Sequence, residues 1–167
     1  MIYSVGSIFL DHIIKINSFP KKPVKVFAKG IEKRLGGSAA VASFTIKKLG
    51  IHTAFIGRFG DDDVSKSLKG ELKKFKINYN DSVIIKGAQS SQSYVYEDKD
   101  GERLLAAFNE KKLLNNKKLP KISFIKNTTF ITDLRWIEAT LYIAKNCHKK
   151  NLIHVVDLDN YKLTSQI

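Results

Sequence analysis

Short apolar runs alternate with amphipathic segments along most of this chain, and that alternation leaves few folds open. Strand-length runs separated by segments of helical period build a mostly parallel sheet covered by helices, an α/β fold. Ile2–Phe9 reads as the first strand. In the stretch LGGSAAVASFTIKKLG, Ser38 is placed to cap a helix. Ala39, Ala42, Ser43, Ile46 and Leu49 follow at helical spacing before Gly50 closes it. Thr53–Gly57 is the next strand, and Val64, Leu68, Leu72 and Phe75 mark one face of a second helix.

The stretch from Ile13 to Arg34 breaks the alternation. No helical period runs through it, and Pro20, Pro23 and Gly30 separate three short runs, Ile13–Ile16, Val24–Ala28 and Ile31–Arg34. It reads as a small β excursion from the main sheet. Ser82–Lys86 and Ser93–Asp98 follow as strands, and a turn at Lys99-Asp100-Gly101 leads into Glu102–Phe108 as a hairpin. Thr128–Thr132 is a buried strand, Ile137–His148 a helix and Leu152–Asp157 a strand. From Leu158 onward no closing element is legible, so the 167 residues are expected to stop in mid-fold, as one incomplete domain.

A chain of this length can bury a real core. No apolar run approaches the ~18 residues that cross a membrane, so no membrane partner is expected. The N-terminus has neither a basic stretch nor a small-residue cleavage site, so no signal peptide is read. Cys147 is the only cysteine, which rules out an intramolecular disulfide and fits a cytoplasmic setting. The net charge of +13 invites a nucleic-acid reading. Against it, only Arg34, Arg58, Arg103 and Arg135 among the 29 basic residues are arginines, and the lysines are scattered. Base and phosphate recognition favours clustered arginine, so a lysine-favouring genome accounts for the charge more simply. The charge could still help to attract anionic substrates.

Four segments carry candidate chemistry. Gly36 and Gly37 lead into a small-residue helix start, where the backbone can approach a ligand or simply make a tight turn. In FIGRFGDDD (Phe55 to Asp63), adjacent carboxylates do not face one another on a helix, so capping explains Asp61 to Asp63 better than a metal does. Thr132-Asp133-Leu134-Arg135-Trp136 closes a predicted strand, where Arg135 either holds an anionic group or forms a surface ion pair. Asp11 stands just after the first strand, as a sugar-hydroxyl acceptor or a turn residue. The histidines and Cys147 lack metal-ligand spacing, and no Walker A, GxSxG or GxGxxG run is present.

Taken together, Leu35 to Ala40 (LGGSAA), Lys48-Leu49-Gly50, Phe55 to Asp62 and Leu68 resemble the N-terminal signature of the ribokinase/PfkB carbohydrate kinases in order and spacing. The likeness continues through Ser90 to Ser93, Asp100 to Arg103, Asp133 to Trp136 and Val155 to Asp157, nearly the whole chain. These later segments look most like the branch of sulfofructose kinase and ketohexokinase-like enzymes. The resemblance implies a Rossmann-like α/β/α core with a small β lid, here near residues 13–34 and 90–108. It implies ATP-dependent, Mg²⁺-assisted phosphorylation of a sugar hydroxyl, the substrate being a ketose or ketose derivative. It allows a homodimer through the lid. Asp11, Gly36 and Gly37 match positions that hold sugar hydroxyls, and Arg135 matches one that meets an anionic group.

Some positions depart from the family pattern. Val41 stands where an Asn usually helps to bind the sugar, and Ser65 where a Gly usually follows the Asp pair. The second signature, an Asp-Thr-x-Gly-Ala-Gly-Asp run bearing the anion hole and general base, is absent, and so is the half that forms the adenine pocket. The expectation is the sugar-binding N-terminal portion of such a kinase, its C-terminal part missing, and inactive alone. A non-catalytic sugar-binding or oligomerisation module and a basic nucleic-acid binder are the competing readings.

Overall fold

The computed structural model describes residues 1–158. Two sheets divide them. Sheet A is parallel throughout, in the order β5 (Val83–Ile84), β4 (Thr53–Phe59), β1 (Ile2–Gly6), β8 (Thr129–Asp133), β9 (Ile153–Asp157). Sheet B is smaller and mixed, in the order β3 (Gly30–Gly36), β2 (Phe9–Lys15), β6 (Gln92–Glu97), β7 (Arg103–Phe108). Four helices join them: α1 (Ser38–Lys48), α2 (Asp63–Lys74), the short α3 (Lys111–Leu114) and α4 (Ile137–Lys150).

Successive side chains of a strand face opposite sides of its sheet. Phe55 and Phe59 of β4 therefore pack with Ala39 and Ala40 of α1 and with Leu68 and Leu72 of α2. Val5 and Ile56 pack on the other side with Trp136, Ala139, Ile143 and Cys147. The main sheet is sandwiched between helices, as the sequence alternation implies. Ala39, Ala40, Ser43 and Ile46 form the buried stripe of α1, small enough to bring that helix close to β1.

The three long helices, the β6–β7 hairpin and the separate small sheet match the sequence expectations. Others need correction. Ile2–Phe9 is not one strand: β1 ends at Gly6, and Phe9 opens β2 in the other sheet. Asp11 consequently lies within β2 of sheet B rather than just after a main-sheet strand. The small sheet starts earlier than residue 13 and runs to Gly36, and Val24–Ala28 is not a strand. Gly37, not Ser38, occupies the N-cap of α1, and no side chain of that residue caps it. The readings beyond Leu158 lie outside the described residues.

The acidic run does cap α2. Asp62 is its N-cap; one carboxylate oxygen accepts from Ser65 N (3.0 Å) and Ser90 Oγ (2.7 Å), the other from Ser90 N (2.9 Å). Ser90 Oγ also receives Gly60 N at 2.9 Å, so the cap stitches the α2 entry to the segment before β6. Burial alone would raise the Asp62 pKa, but the hydrogen bonds from Ser90 and Ser65 outweigh it and hold the carboxyl below its ordinary value. Burial lowers the His154 imidazole as well. Both groups therefore bind protons more readily when unfolded, and their stabilisation, present above the unfolded pKa, is lost on acidification. The loss sets in below about pH 6.5 for His154 and below about pH 3.9 for Asp62. Asp62→Ala should lower unfolding free energy by about 1–2 kcal/mol in a urea titration. Asp62→Asn should flatten the most acidic part of the stability–pH profile.

Candidate functional site

β1 and β8 run parallel, with Val5 beside Thr132, so Gly6 and Asp133 meet at the carboxyl edge of sheet A. Gly6 has φ +151, and a Cβ there would overlap the Asp133 carboxylate. The side chain of Asp133, 2% exposed, lies against that glycine and gathers donors from three segments. Its Oδ2 accepts from Ser7 N (2.8 Å), Ser7 Oγ (2.6 Å) and Ala39 N (3.2 Å), and its Oδ1 from Arg135 N (3.0 Å). A carboxylate at the first turn of α1 also complements the helix dipole.

The glycine pair closes on the same strand exit. Gly37 has φ +92, and a Cβ there would lie 2.6 Å from the Ser7 carbonyl oxygen, which itself accepts from Ala40 N at 3.2 Å. One residue earlier, Gly36 ends β3, two positions along from Arg34, the antiparallel partner of Asp11. The Asp11 carboxylate fills the space a Gly36 side chain would need. Ser93 Oγ, next to Asp11 across the β2–β6 pair, donates to Asp11 Oδ1 at 2.6 Å. Asp11, Gly36 and Gly37 thus form one cluster where sheet B meets the start of α1.

Arg135 sits in a 3-10 turn, Leu134–Trp136, that follows β8. It lines a cavity of about 490 Å³ together with Gly6 to Phe9, Arg58, Ser91, Asn109 and Glu138. Asp11, Gly36 and Gly37 do not line that cavity; the Ser7–Phe9 backbone, on which Gly37 packs, joins the two places. Arg58 is buried and holds the far side of the turn. It donates to the carbonyls of Leu114 and Arg135, the latter at 3.0 Å, and its guanidinium lies 5.1 Å from the Trp136 ring centroid. Burial pulls the Arg58 pKa down, while Glu138 and Asp133 push it back up. A hydrogen bond from Lys117 keeps Glu138 below the usual carboxylate range. Ser91 Oγ donates to Asn109 Oδ1 at 2.7 Å on the cavity wall.

Sequence reasoning did not single out Asp133, Arg58, Ser7 or Ser93. Only the strand-end position of Asp133, beside a glycine-terminated partner strand, could have signalled it.

The profile of the pfkB family carbohydrate kinase matches residues 1–161. The chain belongs to that family. The nucleoside kinase of Methanocaldococcus jannaschii is 26% identical over 100 residues, 60% of this chain and 33% of that protein. The fructokinase of Solanum tuberosum is 29% identical over 103 residues, 62% of this chain and 31% of that protein. The structure of Arabidopsis thaliana ribokinase complexed with ribose and ATP superposes with a TM-score of 0.72 at 17% identity, over 96% of this chain and 54% of that one. The chain therefore spans only part of its PfkB relatives, and the structural likeness speaks for the fold.

Among the described residues the acidic run does not converge as a Mg²⁺ site. Asp61 accepts from Gly87 N, Asp62 is the helix cap, and Asp63 pairs with Lys66. Among the described residues no three His, Cys, Asp or Glu side chains gather as a metal-binding group.

Because Gly37 combines a positive φ with a backbone contact, Gly37→Ala should cost more than the ~1 kcal/mol of an ordinary incompatible glycine replacement. Urea unfolding of that variant beside Gly50→Ala, where φ is also positive but space is open, isolates the steric part.

Proposed function

We propose that this chain forms the sugar-binding part of a PfkB carbohydrate kinase domain whose substrate is a ketose or ketose derivative. The observation that carries the reading is the Asp11 carboxylate seated on Gly36 and held by Ser93. A fixed carboxylate is a strong acceptor for sugar hydroxyls. Glycines beside it let the ligand come close to the backbone. In this reading Asp11, Gly36 and Gly37 hold hydroxyls, while Arg135, on the neighbouring cavity, meets an anionic substituent. A planar guanidinium fork suits such oxygens.

ATP, the donor bound in the Arabidopsis ribokinase structure, would supply the phosphoryl group. The described residues gather no group that fits its metal, so no transfer step is assigned to them. The 167 residues contain no Gly-Ala-Gly-Asp run. On this reading the chain alone binds sugar without phosphorylating it: a missing general base is worth ~10²–10⁴-fold in rate. No helix among the described residues is long and apolar enough to cross a membrane. The net charge of +13 would favour an anionic sugar over a neutral one at low salt.

The test is calorimetric titration with D-fructose and D-ribose beside an ATP-consumption assay. Saturable binding of at least one sugar without turnover is expected. Asp11→Asn should weaken it by about tenfold while leaving the circular dichroism spectrum unchanged. Turnover by the chain alone, or equal affinity of the variant, would sink the reading.

Sheet B also supports self-association. Tyr94, Tyr96, Leu104 and Phe108 are exposed on one of its faces, and β7 is exposed along its whole length. An apolar edge of this kind is a ready surface for a second copy of the chain. Light scattering should give a dimer mass at micromolar concentration and a monomer for Leu104→Glu. A monomeric parent chain at high concentration would count against the homodimer.

A further inference from the structure

We infer that Asp133 is a positioning residue for this site, one carboxylate setting both the Arg135 turn and the wall that carries Gly36 and Gly37. The inference rests on those residues forming a sugar site. A helix cap needs only the Ala39 contact, and a turn start only the Arg135 contact. Asp133 makes both and adds two bonds to Ser7, 126 residues away in sequence. Its two oxygens divide the work. Oδ2 fixes the strand exit and the first turn of α1; Oδ1 fixes the backbone N–H of Arg135, whose carbonyl Arg58 holds on the other side. Ser7 in turn presents its carbonyl to Ala40 N and to the space over Gly37. Movement at Arg135 and movement at the glycine pair therefore pass through one buried group.

Asp133→Asn tests this with nearly constant shape. An amide has one acceptor oxygen, and its nitrogen is a donor, so it cannot serve all four donors. The backbone amides of Ser7, Ala39 and Arg135 should then exchange with deuterium about tenfold faster together, with Tyr94 and Val95 in sheet B unchanged. Trp136, the only tryptophan and the neighbour of Arg135, should report the same release as a shift in fluorescence emission. Affinity for D-fructose should fall about tenfold. Acceleration confined to Arg135, uniform acceleration across the chain, or parental fructose affinity in the variant would each overturn the inference. If Asp133→Asn does not fold, Ser7→Ala removes only the hydroxyl bond and should still speed exchange at Ala39 and Arg135; unchanged rates there would overturn it. If the parent chain binds neither D-fructose nor D-ribose, the sugar-site reading fails, while the exchange data still decide whether Asp133 couples the segments.

Discussion

A carboxylate taken out of water is costly unless donors replace its hydration, and Asp133 meets that demand with four hydrogen bonds from Ser7, Ala39 and Arg135. The demand is directional, so it specifies geometry as well as offsetting desolvation. Parallel pairing of β1 with β8 brings the carboxylate beside Gly6, and only a residue without a Cβ leaves room for it there. With Gly6 in place, the chain leaves sheet A at Ser7 and enters sheet B at Phe9. The small sheet hangs from that exit.

From this follows the divided character of the proposed site. Sheet B contributes Asp11 and Ser93, the start of α1 contributes the glycine pair, and the edge of sheet A contributes Arg135. No single element could supply all of them, because strand alternation sends neighbouring side chains to opposite faces. The Ser7–Phe9 segment is the shared wall. It is also where the parallel sheet's carboxyl edge opens, the usual location of ligand sites in such sheets.

Local sequence carried the parts of this fold that local physics determines. Helical spacing of Val64, Leu68 and Leu72 gave α2, and the Asp100-Gly101 turn between apolar runs gave the β6–β7 hairpin. The acidic run was legible as a cap because adjacent carboxylates diverge on a helix. What was hidden depends on distant partners. The break at Gly6 has no local cause; it answers to a side chain 127 positions further on, and without that partner Ile2–Phe9 alternates like one strand. Ser38 has the chemistry of an N-cap, yet the orphan N–H of Ala39 is taken by Asp133, which leaves the cap position to Gly37. Asp11 lies within β2 rather than just after a main-sheet strand for the same reason.

The rarity of arginine in this lysine-rich chain gives Arg58 its meaning. A lysine there would present one compact, strongly hydrated charge, expensive to bury and unable to span two carbonyl oxygens at fixed spacing. The guanidinium does both tasks. It bridges the carbonyls of Leu114 and Arg135 with one N–H from each terminal nitrogen and lies over the Trp136 ring, so one face is covered while two donors are satisfied. Asp133 favours its charged form without a direct ion pair, the two groups gripping opposite ends of the same residue's backbone. A turn held at both its N–H and its carbonyl has few ways to relax. The exposed Arg135 side chain is thereby carried on a backbone held at both its N–H and its carbonyl, the arrangement a long, flexible side chain needs if it is to meet a ligand at low entropic cost.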